Sequence, residues 1–204
     1  MNIRRNTMVI ISLILIAGLL GYTVYQNVIL PRNASPEIGK AAPDFELNGL
    51  DNTVYTLDSR DNKLLIINFW ATWCRPCRNE MPELIQLYEE YNDELEIFAI
   101  NATTLDTVYN VESFVEEFEL PFPVLLDELE EEKEGFLGML QSVLGDENGN
   151  ESIALSTYDI NAFPTTFVID YEGVIRQIYI GEISSEMMKN QLEPKIVELI
   201  NEKK

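Results

Sequence analysis

Apolar and polar positions change character twice along this chain. Residues 6–31 carry no charge, and their apolar heart runs from Met8 to Val24 behind Arg4 and Arg5. Seventeen helical residues reach roughly 26 Å, close to the ~30 Å of a hydrocarbon core, and the neutral extension to Leu30 supplies the rest. Tyr22 and Tyr25 stand near its far end, where headgroups would lie. Arg32 and Ala34 make a poor pair for signal cleavage, so residues 1–30 are expected to remain as a single signal-anchor helix. The proline-containing stretch 31–43 reads as a linker, and residues 44–204 as one domain.

From Asp44 the pattern becomes globular. Residues 45–47 and 54–57 flank a polar turn and predict a hairpin. Leu64–Trp70 (LLIINFW) is too short for a buried helix and predicts a central strand, and Leu95–Asn101 predicts a second. Residues 75–92 have helical spacing, with Leu84, Leu87, Tyr88 and Tyr91 on one face. Val108, Val111, Phe114, Val115 and Phe118 mark another helix before Pro121. Residues 123–126 suit a short strand, 130–144 a helix, and 145–156 a loop. Residues 165–170 and 174–180 predict strands around the tight turn Tyr171-Glu172-Gly173, and Ser184 caps a last helix. The succession predicts an α/β fold, a mixed central sheet flanked by helices.

Charge and composition then remove whole classes of function. The chain has 14 Lys+Arg against 35 Asp+Glu, net −21, which disfavours nucleic acid as a partner. Arg4 and Arg5 are the only charges in the first thirty residues, so the rest holds all 35 acids against 12 bases. There is no histidine, which excludes Ser-His-Asp and Cys-His catalysis and any His-ligated metal.

The remaining chemistry sits in Trp73-Cys74-Arg75-Pro76-Cys77. A structural zinc needs four ligands and finds only these two cysteines, and covalent haem would need histidine where Arg78 stands. A redox pair, a purely structural disulfide and a copper(I)-binding module all remain readable from two thiols. The redox reading is favoured by position: the pair follows a predicted strand and opens a helix, whose free N–H groups stabilise a thiolate at Cys74. Pro76 suits the first turn, and Cys77, further in, becomes the resolving thiol. A peroxidase would place Pro seven and Thr or Ser three residues before its cysteine, where this chain has Ile67 and Ala71.

The segment from Asn68 to Pro82 (NFWATWCRPCRNEMP) resembles the active-site region of membrane-anchored thioredoxin-like proteins of the ResA/TlpA type. Phe163-Pro164-Thr165-Thr166-Phe167 resembles their cis-proline loop, and Ala42–Leu47 and the anchor resemble theirs too. The resemblance implies a thioredoxin-like fold with an N-terminal β-hairpin, and an extracytoplasmic thiol–disulfide oxidoreductase at the cell membrane. The implied client is a protein disulfide, typically the haem-binding cysteines of apocytochrome c. No nicotinamide or flavin motif is present, so no cofactor is expected and a membrane thiol reductase must supply electrons. A disulfide-forming oxidase, or a reductant for another exported client, shares the same motif.

The same resemblance gives Glu80, one turn beyond Cys77, a tuning role. A partly buried carboxylate there would oppose thiolate by repulsion and carry protons during exchange. Trp73, Pro76, Phe163 and Pro164 are the expected substrate-facing residues, with Trp70 buried, and Pro82 contributes shape. Arg75 and Arg78 would favour thiolate if they reached the sulfurs. Residues 127–158 are about twenty longer than the ResA-type pattern, an insertion opening on an acidic run.

Overall fold

A computed structural model describes residues 15–21, 36–128 and 152–203. The chain forms two units, Met1–Ala34 and Ser35–Lys204. In the first, residues 15–21 are helical, with Leu15, Ile16, Leu19 and Leu20 exposed. Among the described residues no helix is long and apolar enough to cross a membrane. Most of the span expected over residues 8–24 lies outside them, as does the helix expected over 130–144.

The second unit is a seven-stranded mixed sheet. Its elements are β1 (Leu47–Gly49), β2 (Val54–Tyr55), β3 (Leu64–Trp70), α1 (Arg75–Tyr91), β4 (Leu95–Asn101), α2 (Val108–Phe118) and β5 (Val124–Leu126). Then come α3 (Ile153–Thr157), β6 (Thr165–Ile169), β7 (Ile175–Ile180) and α4 (Ser185–Met187). A π-helical turn, Met188–Leu192, leads into α5 (Glu193–Glu202). The strand order is β2-β1-β5-β4-β3-β6-β7. β3, β4 and β5 run parallel, joined through α1 and α2, while the outer pairs are antiparallel.

The strand period of two explains why LLIINFW is apolar almost throughout. Leu64, Ile66 and Trp70 enter the cluster that α1, α2 and α5 cover, and Leu65, Ile67 and Phe69 enter the cluster on the opposite face. The second cluster is closed by Phe45, Leu47, Ala154 and Tyr158. Leu84 and Leu87 of α1 are buried as the spacing predicts, with Tyr88 and Tyr91 packed beside them. Asp170 Oδ1 accepts from the Glu172 and Val174 amides and closes the β6–β7 turn, where Gly173 takes a positive φ of 80°. Ser184 Oγ accepts from the Met187 amide, the expected cap.

Three differences from the sequence reading have physical causes. The loop expected over 145–156 contains α3, because buried Asp127 accepts from the Ala154 and Leu155 amides, each at 2.8 Å, and from Ser152 Oγ. In sequence this acid opens an acidic run, yet in the fold it caps a helix that begins 26 residues further along the chain. The far end of the stretch read as linker is folded: Ala42 N–H donates to Gly173 O, Gly39 N–H to Ile175 O, and Ala41 bridges Val174. The second hairpin strand ends early, since Asp44 Oδ1 accepts from Leu57 N–H and a 3-10 turn Leu57–Arg60 begins there.

Candidate active site

Three chain segments meet at the C-terminal end of β3. Trp70 pairs with Asn101 of β4, and Phe69 with Thr165 of β6. The register therefore sets the loop after β3 between the start of β6, with Pro164 just before it, and the turn that follows β4. The bond between Phe163 and Pro164 is cis, and Pro164 is buried. Its carbonyl accepts from Gly181 N–H at 2.8 Å, which ties the segment after β7 to the same place.

Cys74 and Cys77 are joined as a disulfide, with Cα atoms 5.3 Å apart. Cys74 is the N-cap of α1, and its Sγ accepts from the Cys77 amide at 3.3 Å. One of the helix's free donors is thus aimed at the sulfur that would carry negative charge after reduction. Pro76 lies in the first turn, where its missing N–H costs nothing. Cys74 is 5% exposed and Cys77 fully buried. The outer sulfur is the accessible one.

Glu80 is completely buried in the second turn of α1, three residues after Cys77. Its Oε1 accepts from Asn68 Nδ2 at 2.8 Å and its Oε2 from Ile183 N–H at 2.9 Å. Burial pushes its carboxyl up to about 7; the Ile183 amide and the Asn68 amide work the other way, and nearby Glu182 adds to the rise. Asn68 Nδ2 also donates to Thr166 Oγ1 at 2.9 Å, while its Oδ1 has no hydrogen-bond partner among the described residues. The amide is thus turned to present donors to Glu80, the orientation that suits a carboxylate.

The substrate-facing residues expected from the sequence fall into two environments. Trp73 is 59% exposed, Pro76 is exposed, and Phe163 is half-buried. The Trp73 and Phe163 rings meet edge-on with centroids 5.9 Å apart, so these two expected residues are brought together. Trp70 is fully buried and stacks at an angle on Phe114. Arg75 is exposed. Arg78 turns away: it pairs with Glu117 and lies over Phe114 and Phe118, 4.9 and 5.0 Å from their centroids. Its charge serves packing between α1 and α2.

Two groups escaped the sequence reading. Asn68 was quoted within a motif without a role; the signal was a single amide in an otherwise apolar strand. Asp106 gave no such signal. Its carboxylate accepts from Thr72 N–H at 2.7 Å, Thr72 Oγ1 at 2.8 Å, Thr107 N–H at 2.9 Å and Asn101 Nδ2 at 3.3 Å. Burial works against its charge, but these donors outweigh it and hold the carboxyl below the usual range. Beside it, Trp73 Nε1 donates to Leu105 O at 3.0 Å. The turn after β4 and the loop before Cys74 are therefore one hydrogen-bonded unit.

The chain is similar to known proteins in both sequence and fold. Residues 38–178 match the AhpC/TSA family. The chain is 33% identical over 191 residues to the thiol-disulfide oxidoreductase ResA of Geobacillus thermodenitrificans, covering 93% of this chain and 95% of that protein. It is 32% identical over 184 residues to the thioredoxin-like protein YneN of Bacillus subtilis, covering 90% and 94%. In fold it is similar to a thiol:disulfide interchange protein of the thioredoxin family from Chlorobium tepidum, with a TM-score of 0.55 at 22% identity over 80% of this chain and 99% of that one. The thioredoxin domain of a Bacteroides vulgatus thiol-disulfide oxidoreductase gives 0.57 at 21% identity, over 79% and 99%. The positions where a peroxidase would carry Pro and Thr or Ser are Ile67 and Ala71, both fully buried. The chain belongs to the AhpC/TSA family and is one of its thioredoxin-like thiol–disulfide oxidoreductases.

Proposed function

We propose that the protein is an extracytoplasmic reductant of protein disulfides, held at the cell membrane by residues 8–24. Arg4 and Arg5 stay on the cytoplasmic side, following the positive-inside rule. The observation that carries the direction of electron flow is Glu80, a buried acid in the same helix as the pair. Strong oxidants of this class owe their potential to a stabilised reduced form. A carboxylate near the thiols does the opposite, because it repels thiolate and so favours the disulfide.

The exchange follows from the placement of the two sulfurs. Cys74 thiolate attacks one sulfur of the client disulfide, forming a mixed disulfide and releasing the other client sulfur as thiolate. Cys77 loses its proton, and Glu80, three residues on in the same helix, is the acceptor in this reading. The Cys77 thiolate then attacks Cys74 Sγ, which forms the Cys74–Cys77 bond and releases the second client sulfur. The client gains two electrons and two protons. A membrane thiol reductase returns the pair to dithiol. The ResA-type resemblance points to the haem-binding cysteines of apocytochrome c as client.

The reduction potential tests the direction. A value near or below thioredoxin's roughly −270 mV supports a reductant, and one towards roughly −120 mV makes the protein an oxidase. Cys77→Ser should trap mixed disulfides with the client in cells, whereas Cys74→Ser should trap none and abolish exchange. Full turnover in either single variant would overturn the two-thiol mechanism.

A further inference from the structure

We propose that Glu182 is a positioning residue for exchange, an exposed carboxylate fixed beside the buried Glu80 that makes the redox pair respond to ionic strength as well as to pH. The inference rests on the proposed role of Glu80 as acceptor of the Cys77 proton and concerns what sets that role. One acid among 35 needs a reason to be singled out, and Glu182 has one in its bonding. Ile183 N–H donates to Glu80 Oε2 at 2.9 Å, and Asn79 Nδ2 donates to Glu182 Oε2 at 3.1 Å. Two consecutive residues of the segment after β7 are thus joined to two consecutive residues of α1.

That segment is anchored on both sides of Glu182. Gly181 takes a positive φ of 97°, which favours glycine, and its N–H donates to Pro164 O. Ile183 is fully buried in the cluster that α1 covers. Ser184 caps α4, and Ser185 Oγ donates to the Glu83 carboxylate. The Glu182 side chain itself reaches water. Of the other elements around Glu80, β3 and β6 bring the uncharged Asn68 and Thr166. From α1 come Cys77, Glu83 bonded to Ser185, and Arg78 paired with Glu117. Glu186 of α4 and Lys189 of the π-helical turn are exposed. Burial is the main cause of the raised Glu80 carboxyl, and the charge of Glu182 adds to it. Like-charge repulsion favours the protonated form of Glu80, and because Glu182 faces water, salt screens that repulsion. In a dilute medium Glu80 therefore holds its proton to a higher pH, and a thiolate at Cys77 is less opposed near neutrality. Concentrated salt lowers that pH.

The test replaces Glu182 by Gln, whose side-chain oxygen still accepts from Asn79, so that the charge alone is removed. Full-length oxidised wild type and Glu182→Gln, in nonionic detergent micelles and labelled with carbon-13 at glutamate carboxyls, are titrated by NMR. Two ionic strengths are used, about 10 mM and about 1 M, where the screening lengths are roughly 30 and 3 Å. At low salt the Glu80 midpoint should be about half a unit lower in Glu182→Gln, about a threefold loss of proton affinity and an ordinary size for an exposed charge. At high salt the two midpoints should coincide. The Cys74–Cys77 potential, followed against pH at low salt, should bend at a correspondingly lower pH in the variant. An unchanged midpoint at low salt would overturn the proposal, and so would a difference that persists at high salt, since Glu182 would then act through contact and not charge. A potential profile altered by Glu80→Gln but not by Glu182→Gln would overturn this proposal alone. A profile altered by neither would remove the exchange role of Glu80, and the proposal with it.

Discussion

Replacing Asn68 by Leu isolates the polar contact that holds Glu80. The side chains are similar in size, Asn68 is fully buried, and its Nδ2 is the only side-chain donor among the described residues bonded to the Glu80 carboxylate. A hydrogen bond to a charged group contributes about 1.5–3 kcal/mol, and part of that survives when the acceptor is a neutral acid. Taking about half as the difference between the two protonation states, and 1.36 kcal/mol per pKa unit, the carboxyl should rise by roughly one unit. It starts at about 7, because burial already outweighs the Ile183 and Asn68 donors. The assay is a pH titration of the Glu80 side-chain carboxyl by carbon NMR in the oxidised protein, where the disulfide keeps both cysteines from titrating. A Glu80→Gln spectrum assigns the resonance. A midpoint in Asn68→Leu that stays with the wild type or falls below it would refute the argument that this amide stabilises the charged form.

Further outcomes follow from the same contacts. The Glu80 carboxyl is raised in the folded state from an ordinary 4.5 to about 7, so the native state holds its proton over that interval while the unfolded chain has lost it. Stability from this group is full below about 4.5 and declines as pH rises towards 7, by up to about 3 kcal/mol. Denaturant unfolding of oxidised wild type minus Glu80→Gln should show that slope, and parallel curves would count against it. Asp127→Ala removes the acceptor of one buried amide, one part-buried amide and a hydroxyl at α3, and should cost about 2–4 kcal/mol in urea unfolding. A loss under 0.5 kcal/mol would mean that water replaces the cap at about no cost. Asp106→Ala should loosen the Trp73 loop, measurable as a fall in fluorescence anisotropy against a Trp70→Phe background, and an unchanged anisotropy would show that the Leu105 bond suffices.

The central strands and the helices between them were legible because their information is local. Leu64–Trp70 and Leu95–Asn101 are predominantly apolar because a strand covered on both faces leaves few positions to water, the partly buried Glu96 being one. The cysteine pair was legible as chemistry because few other roles fit two thiols three residues apart in a chain without histidine. What the pattern hid depends on partners far along the chain. Asp127 reads as one acid in an acidic run, yet its acceptors are filled from residues 152, 154 and 155, so a loop reading gave way to α3. Arg78 reads as a neighbour of the thiols, but the aromatic face of α2 offers it Phe114, Phe118 and Glu117 together. Asn68 is the intermediate case. Its period-two position places it on the α1 face with Leu64, Ile66 and Trp70, so strand geometry plus the helix that carries Glu80 would have paired them.

The helix start treats its two sulfurs unequally, and that inequality bears on the proposed direction of exchange. At Cys74 the Cys77 N–H points at the sulfur, a contact that grows stronger when the sulfur is charged. At Cys77 there is no exposure, so a thiolate there is desolvated, and Glu80 stands one helical turn further on. Arg78, the cation closest in sequence to offset that acid, is engaged by α2. A charge on Cys77 is therefore costly whenever Glu80 is ionised and cheaper once Glu80 has taken a proton. With the Glu80 carboxyl raised to about 7, the second step of exchange should respond to pH across the neutral range. Above that pH the ionised Glu80 should disfavour a Cys77 thiolate, and with it the reduced pair, so the proposed tendency to give up electrons should persist. Glu80→Gln removes the repulsion and should make the potential less negative at pH 8 while changing it little at pH 5, where both side chains are neutral. Equal displacement at the two pH values would show that Glu80 acts through shape and not through charge.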